Sequence, residues 1–482
     1  MEFERTGSPP VAISSSNHPT RHESAPSLAS TSSAGASFNG RVRPTVTLAK
    51  PRTVQHRSAD VAAEPTRQAM TEDTLFEEIL DPANRADPYP LYDRARLRPV
   101  ARQRDGRYVV STHATIRRLI FDPRLSSEDL PPVHRPRTGG LFRDWIINPI
   151  KDHITNGHRP LIFRDPPDHD VLRGFVMDQF SVPRVRAVHR RVEKLVNRLI
   201  DCCHGRSSVC LVEDLSYPLP VAVICDLLGV PEADEPTFQR WATQLSSALE
   251  PDARRDDATR RANIENFEAI SSYMRDLIRE KRRCPQDDML SGLATSDRAG
   301  SRRMSDFDLI STAALLLVAG HETTVNLITN GMLTLLRHPE QLARLKQDPE
   351  LAPRLIEELL RFEPPVHFRT RRALGDIEIG GETIPQGAPV VLLFAAANRD
   401  PARFAEPHKF DPDREDNQHF GFGGGLHYCI GAPLARIEVE IALVTLCRRL
   451  IKPQLAYDPP PYRPGAALRG PEKLGISIEA IV

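Results

Sequence analysis

The residues of this 482-residue chain best placed to do chemistry run Phe422-Gly423-Gly424-Gly425-Leu426-His427-Tyr428-Cys429-Ile430-Gly431. One cysteine sits in a glycine-rich loop, just ahead of a strongly helical segment. A free thiol has a pKa of about 8.5, and a helix N-terminus, a positive neighbour or a metal lowers it. A thiol there can shed its proton and bind a metal through sulfur. The glycines let the backbone turn sharply and approach a flat ligand. A lone cysteine is ordinarily a small buried hydrophobe. Here five typed positions fall within ten residues, for which background frequencies give on the order of 10⁻⁴ accidental matches. The spacing, more than the residue, carries the signal.

Three other constellations bear chemistry. Ala319-Gly320-His321-Glu322-Thr323-Thr324 ends an apolar run whose start Ser305 and Asp308 are spaced to cap. A mid-helix glycine costs about 1 kcal/mol relative to alanine. Thr323 can turn its hydroxyl back onto the carbonyl of Ala319 or Gly320. Together they predict a local bulge or kink. A hydroxyl beside a carboxylate there can hold a water and relay protons; equally, the threonines can be packed and Glu322 turned to solvent.

Glu358 and Arg361 face each other on a helix. Exposed, as such pairs ordinarily are, they contribute a few tenths of a kcal/mol. Buried, they must be hydrogen-bonded on all sides, and losing one partner costs about 3–5 kcal/mol. In Asp165-Pro-Pro-Asp168-His169-Asp170-Val-Leu-Arg173, His169 and Arg173 stand one helical turn apart. They can both donate to one anion, or simply decorate a surface.

The elements that must position these groups read as mostly helical with a small β region, an α+β layout in one domain. Residues 183–203 form an amphipathic pattern with Val192, Leu195, Val196 and Leu199 on one face. Val100 to Ser111 reads as a hairpin about Asp105-Gly106. A second hairpin is expected from Ile377 to Val391 about Gly380-Gly381. Leu309 to Gly320 reads as a buried helix. The stretch 126–163 is long and poorly periodic. With Phe142, Trp145, Ile146 and Ile147 it suits a lid over an apolar ligand, or a loop burying its own aromatics.

Composition bounds the rest. The 64 basic and 64 acidic residues balance, so no global field points to nucleic acid or membrane. No apolar run reaches 18 residues, so no transmembrane anchor is expected. Seven cysteines without a CxxC pair argue against a disulfide scaffold or a zinc finger and suit the reducing cytoplasm. Residues 1–70 differ: ten of the first forty are serine, and apolar periodicity is absent. That composition predicts a disordered tail ahead of a domain at 71–482. Arg41, Arg43 and Arg52 suit a transit peptide, but Glu2, Glu4 and Glu23 do not.

The succession of HxxxR, AGxETT, ExxR, an Asn398-Arg399-Asp400-Pro401 loop and the cysteine loop resembles the cytochrome P450 family, in its soluble, bacterial, ferredoxin-dependent branch. The resemblance runs from about Asp87 to the C-terminus. It implies a single large helical domain carrying heme b, with Cys429 as the axial thiolate, Phe422 beside the sulfur and Gly431 among the cofactor-binding residues. A thiolate ligand favours O–O cleavage. His169, Arg173, Arg372 and His427 are implied as donors to the heme propionates. Glu358 and Arg361 become a buried structural pair joined by Arg414. Glu322 and Thr323 are implied as the acid–alcohol pair that delivers protons to dioxygen; His321 is assigned no role. The expected activity is hydroxylation or epoxidation of an apolar small molecule in secondary metabolism. Electrons would come from a separate ferredoxin and ferredoxin reductase, with Arg436 on the docking face. A peroxygenase, isomerase or nitric oxide reductase, or a heme-binding sensor without turnover, are the rival readings. Specificity is implied at 126–163, around Leu316 to Ala319, and at Val366, His367 and Phe368.

Overall fold

The computed structural model describes residues 74–128, 160–180, 182–246, 257–297 and 303–482, all within one compact unit, Ala63–Val482. The expected tail at 1–70 and the lid aromatics at 142–147 lie outside the described residues.

The organising element is a 32-residue helix, Asp306–Arg337. Its start is fixed by a reciprocal cap: Asp308 N–H donates to Ser305 Oγ at 3.1 Å and Ser305 N–H to Asp308 Oδ2 at 3.3 Å. Such a cap contributes about 1 kcal/mol. Beyond it the helix is buried nearly all round, polar Thr312, His321, Glu322, Asn326 and Asn330 included, so its polar groups must find partners inside the core. It packs against Pro218–Leu228, Glu235–Ser246, Asp257–Arg283, Ala352–Phe362 and Ala432–Arg449. The expected bulge at Gly320 is not seen, and the helix is continuous through it. The glycine serves close approach instead: a Cβ there would lie 2.9 Å from Ile224 Cδ1 on the neighbouring helix.

The amphipathic stretch forms Val182–Asp201, with Val192 and Val196 fully buried. The Asp105-Gly106 hairpin joins Val100–Arg102 to Tyr108–Val110. The second hairpin is shorter than expected. Ile377–Ile379 pairs with Glu382–Ile384 as a separate ribbon, because Gly380 and Gly381 both take positive φ and close a two-residue turn. Pro389–Leu392 leaves that ribbon for a five-stranded sheet, running Val100–Arg102, Tyr108–Val110, Pro389–Leu392, Arg369–Ala373, Leu125–Ser126. There Val109 lies opposite Val391 in a parallel pair, and Arg371 opposite Val390 in an antiparallel one. Among the described residues, no helix is long and apolar enough to cross a membrane.

Candidate active site

Cys429 opens into a cavity of about 340 Å³. The central helix contributes Thr312, Leu316, Ala319, Gly320, Thr323 and Thr324 to its wall. The segment after Pro365 adds Val366, Phe368 and Arg371, and the Asp168–Met177 helix adds His169 and Arg173. The lining is predominantly apolar, as small-molecule sites are. His367, expected among the specificity positions, is turned away from the cavity. It is fully buried, with its Nδ1 2.6 Å from the Tyr92 hydroxyl.

The cysteine loop is held by its own backbone. Gly423 N–H donates to Phe420 O at 2.8 Å, Cys429 N–H to Phe422 O at 3.0 Å, and Tyr428 N–H to Gly425 O at 3.2 Å. Two of its glycines meet the protein's own main chain: a Cβ on Gly421 would lie 2.7 Å from the Leu360 carbonyl oxygen, and one on Gly425 would overlap that of Ile120. Burial raises the Cys429 thiol, which is open to the cavity yet deep in the fold. The Gly431 and Ala432 amides and the cations of Arg173 and Arg436 oppose that rise by favouring the thiolate. Gly431 is the N-cap of the Ala432–Arg449 helix, whose dipole adds to the same effect.

Basic side chains converge on this cavity. The His169 and His427 rings lie 4.4 Å apart, and His169 Nδ1 is 2.8 Å from Asp170 Oδ1. Arg173 donates to the Tyr428 carbonyl at 2.9 Å. His427 is pushed down to about 3, by burial first and then by Arg371, His169 and Arg173. Like charges gathered in a half-dry space repel one another unless an anion joins them. Arg372 is not part of the group. Strand alternation turns it outward, where it donates to Gly387 O at 2.8 Å, and brings Arg371 to the cavity instead.

On the central helix, Thr323 Oγ1 donates to Ala319 O at 2.6 Å, the anticipated back-bond. Glu322 is neither solvent-facing nor in the cavity wall. It is buried and paired with Arg463, which also donates to Asn326 Oδ1 at 2.9 Å.

Glu358 and Arg361 are both fully buried, against the ordinary expectation for such a pair. Arg361 Nε and Nη2 reach the Glu358 carboxylate at 2.8 and 2.7 Å. The remaining Arg361 protons go to the carbonyls of Asn398, Pro407 and Lys409. Glu358 also accepts from Asp411 N–H at 2.9 Å and Asn417 Nδ2 at 3.2 Å, and Arg414 Nε stands 3.4 Å away. The Asn398 side chain continues the scaffold, accepting from Phe420 N–H at 2.7 Å at the root of the cysteine loop. Arg436, its side chain 35% exposed, holds Glu357 at 2.6 and 3.0 Å and lies over the Phe422 ring at 4.6 Å. Burial alone would raise Glu357, but hydrogen bonds from His419 and Arg436 hold it down at about 2.

Arg371, Arg463 and Glu438 are among the residues at or beside the site that the sequence pattern did not single out. Arg371 needed the strand's phase. Arg463 lies in a proline-rich segment with no periodic signal. Glu438 could have been found, because it interrupts the apolar helical stripe of Leu434, Ile441 and Ala442.

A mostly helical domain that brings a buried thiol, an apolar cavity and a basic cluster together defines a class, proteins with one large enclosed ligand site beside a cysteine. The cytochrome P450 family model matches residues 137–473. The monooxygenase PikC of Streptomyces venezuelae is 38% identical over 408 residues, covering 81% of this chain and 91% of that protein. The 6-deoxyerythronolide B hydroxylase of Saccharopolyspora erythraea is 38% identical over 393 residues, covering 81% and 94%. Ligand-free CYP164A2 of Mycobacterium smegmatis superposes with a TM-score of 0.74 at 37% identity, covering 84% of this chain and all of that one. The chain belongs to the cytochrome P450 family and, by that membership, is an oxidoreductase of the monooxygenase class.

The family implies a heme held by a cysteine thiolate. The residues present fit it: a thiol with amide and cationic support, an apolar cavity walled partly by glycines, and basic side chains gathered on that cavity.

Proposed function

We propose that this chain is a heme-thiolate monooxygenase that hydroxylates or epoxidises an apolar small molecule of secondary metabolism, working in the cytoplasm. Cys429 is the axial ligand of heme b. The observation that carries the reading is that Cys429 shares one apolar cavity with Thr323 and with the basic cluster. When bound, the heme supplies dioxygen activation, placing one oxygen atom in the substrate and releasing the other as water.

The chain's own residues do the rest. The amides of Gly431 and Ala432 stabilise the thiolate, and the Phe422 ring meets Tyr428 of the same loop edge-on at 6.2 Å. His169, Arg173, Arg371 and His427 bind the cofactor's carboxylates as charge-assisted donors. Thr323 Oγ1 holds a proton at the cavity wall, and releasing its bond to Ala319 turns it toward the ligand space. Glu322 supplies that proton after leaving Arg463. Glu358 and Arg361, with Arg414, brace the segment that leads into the cysteine loop. Electrons come from a separate ferredoxin and its reductase. The names of relatives such as pentalenic acid synthase and 6-deoxyerythronolide B hydroxylase support a natural-product substrate.

Cys429→Ser tests the assignment. The reduced, CO-bound spectrum should lose the signature of a thiolate-ligated heme; its retention removes Cys429 as the ligand. A second reading, a peroxide-using enzyme of the same family, draws on Glu322 being paired with Arg463 outside the cavity wall. Turnover with peroxide alone, and none with dioxygen and a reducing chain, would select it.

A further inference from the structure

The strand that brings Arg371 to the cavity brings a second guanidinium with it. Arg369 stands two residues earlier in Arg369–Ala373, so it falls on the same face, about 7 Å along the strand. Both arginines line the cavity, and both are half-buried. Their places in the register differ. Arg371 lies opposite Val390, and Arg369 opposite Leu392, two residues before Phe394 of the cavity wall.

The two cations keep different company. Arg371 acts on His427 together with His169 and Arg173, the group assigned above to the cofactor's carboxylates. Arg369 begins the strand, where the apolar wall segment of Pro365, Val366 and Phe368 runs into it. An ion in such a wall feels an opposite charge far more strongly than it would in water. Among the described residues that line the cavity, Glu438 is the one carboxyl. Burial pushes it up to about 8, so at neutral pH it brings no negative charge to the wall. A guanidinium presents paired N–H donors whose spacing matches a carboxylate.

We propose that Arg369 anchors the substrate through an anionic head group, and that the substrate class is an apolar carboxylic acid, its hydrocarbon body lying against Leu316 and Ala319 of the central helix and its carboxylate on Arg369. The proposal rests on the monooxygenase reading and deepens it by naming the head group. Position decides between the two arginines: Arg371 is within the cofactor group, and Arg369 is one strand repeat outside it. Neutral molecules of the same shape enter the same cavity and bind less tightly, because they leave the guanidinium without the charge it is placed to meet.

The test uses the holoprotein and matched probes: dodecanoate with methyl dodecanoate, and the polycyclic abietate with methyl abietate. Titrations are read by the ligand-induced shift in heme absorbance and by isothermal titration calorimetry. In wild-type protein at least one acid should bind about 10- to 100-fold tighter than its ester, the span of a hydrogen bond to a charged group. Arg369→Gln should abolish that preference by weakening the acid and leaving the ester unchanged, and Arg369→Lys should restore part of it. Heme transfer to apomyoglobin should be as slow from Arg369→Gln as from wild type. Esters held as tightly as acids by the wild type, or a preference that survives Arg369→Gln, overturns the proposal. Rapid heme loss from Arg369→Gln overturns it too, because it would put Arg369 in the cofactor group beside Arg371. Calorimetry needs neither dioxygen nor electrons, so these outcomes stand apart from the Cys429→Ser result on which the monooxygenase reading depends.

Discussion

Replacing Arg361 by methionine should destabilise the fold by about 3–5 kcal/mol, the penalty of leaving a buried charge without its partner. Glu358 would keep Asp411 N–H, the Asn417 amide and a distant Arg414 cation, which pulls the charge term toward the lower bound. Against that, Arg361 also satisfies the carbonyls of Asn398, Pro407 and Lys409. Each orphaned acceptor costs about 1 kcal/mol or more, which restores the upper part of the range. Domains are stable by only about 5–15 kcal/mol, so the loss is a large fraction of the total. Because the carbonyls belong to the segment leading into the cysteine loop, cofactor release should precede global unfolding. Urea unfolding followed by far-ultraviolet circular dichroism, beside heme absorbance, reads both. The double variant Glu358→Met with Arg361→Met should be less destabilised than the sum of the two single variants, since it leaves no lone ion. A single-variant loss under about 1 kcal/mol, or strict additivity, would falsify the account of this pair as a buried brace.

Glu438→Gln should change how stability depends on pH. The folded carboxyl holds its proton to about 8 while an unfolded one releases it near 4.5, so the folded state binds the extra proton between those values. Its cost is absent below about pH 4.5, grows as pH rises, and levels off above 8 at on the order of 5 kcal/mol. The wild-type minus variant difference in unfolding free energy should therefore fall from pH 5 to 8, and a flat difference would contradict it. Arg371→Leu should weaken heme retention measured by transfer to apomyoglobin, and Arg372→Leu should not; equal effects would undo the strand-phase argument. Thr323→Ala should raise peroxide release per electron consumed, and unchanged coupling would remove it from the proton path. Gly320→Ala should cost about 1 kcal/mol or more from overpacking against Ile224, and trimming Ile224 to valine should recover part of it in thermal melts.

Local chemistry was legible where a short spacing sets a geometry. Ser305 and Asp308 three apart are a cap in any helix, and the back-bond of Thr323 needs only a helical carbonyl four residues earlier. The cysteine loop was readable for the same reason, its backbone closing on itself between Phe420 and Cys429. What depended on distant partners was not readable. Whether Glu358 and Arg361 face solvent is decided by carbonyls 37 to 48 residues away. The pairing of Glu322 with Arg463 spans 141 residues. Arg371 and Arg372 differ only in strand phase, which the neighbouring strand Pro389–Leu392 imposes.

The five-stranded sheet joins Tyr108–Val110 to Pro389–Leu392, so its central parallel pair links residues some 280 positions apart. Closing so long a loop is slow, and until it closes the first hairpin presents a bare edge to its surroundings. During synthesis that edge waits for about four-fifths of the chain to emerge, and the cysteine loop follows only some thirty residues later. Completion of the sheet, arrival of the thiol and exposure of a half-built apolar cavity thus fall close together in time. If the heme of the proposed function is taken up then, expression with limiting heme should lower the soluble yield, and a yield independent of heme would break that link.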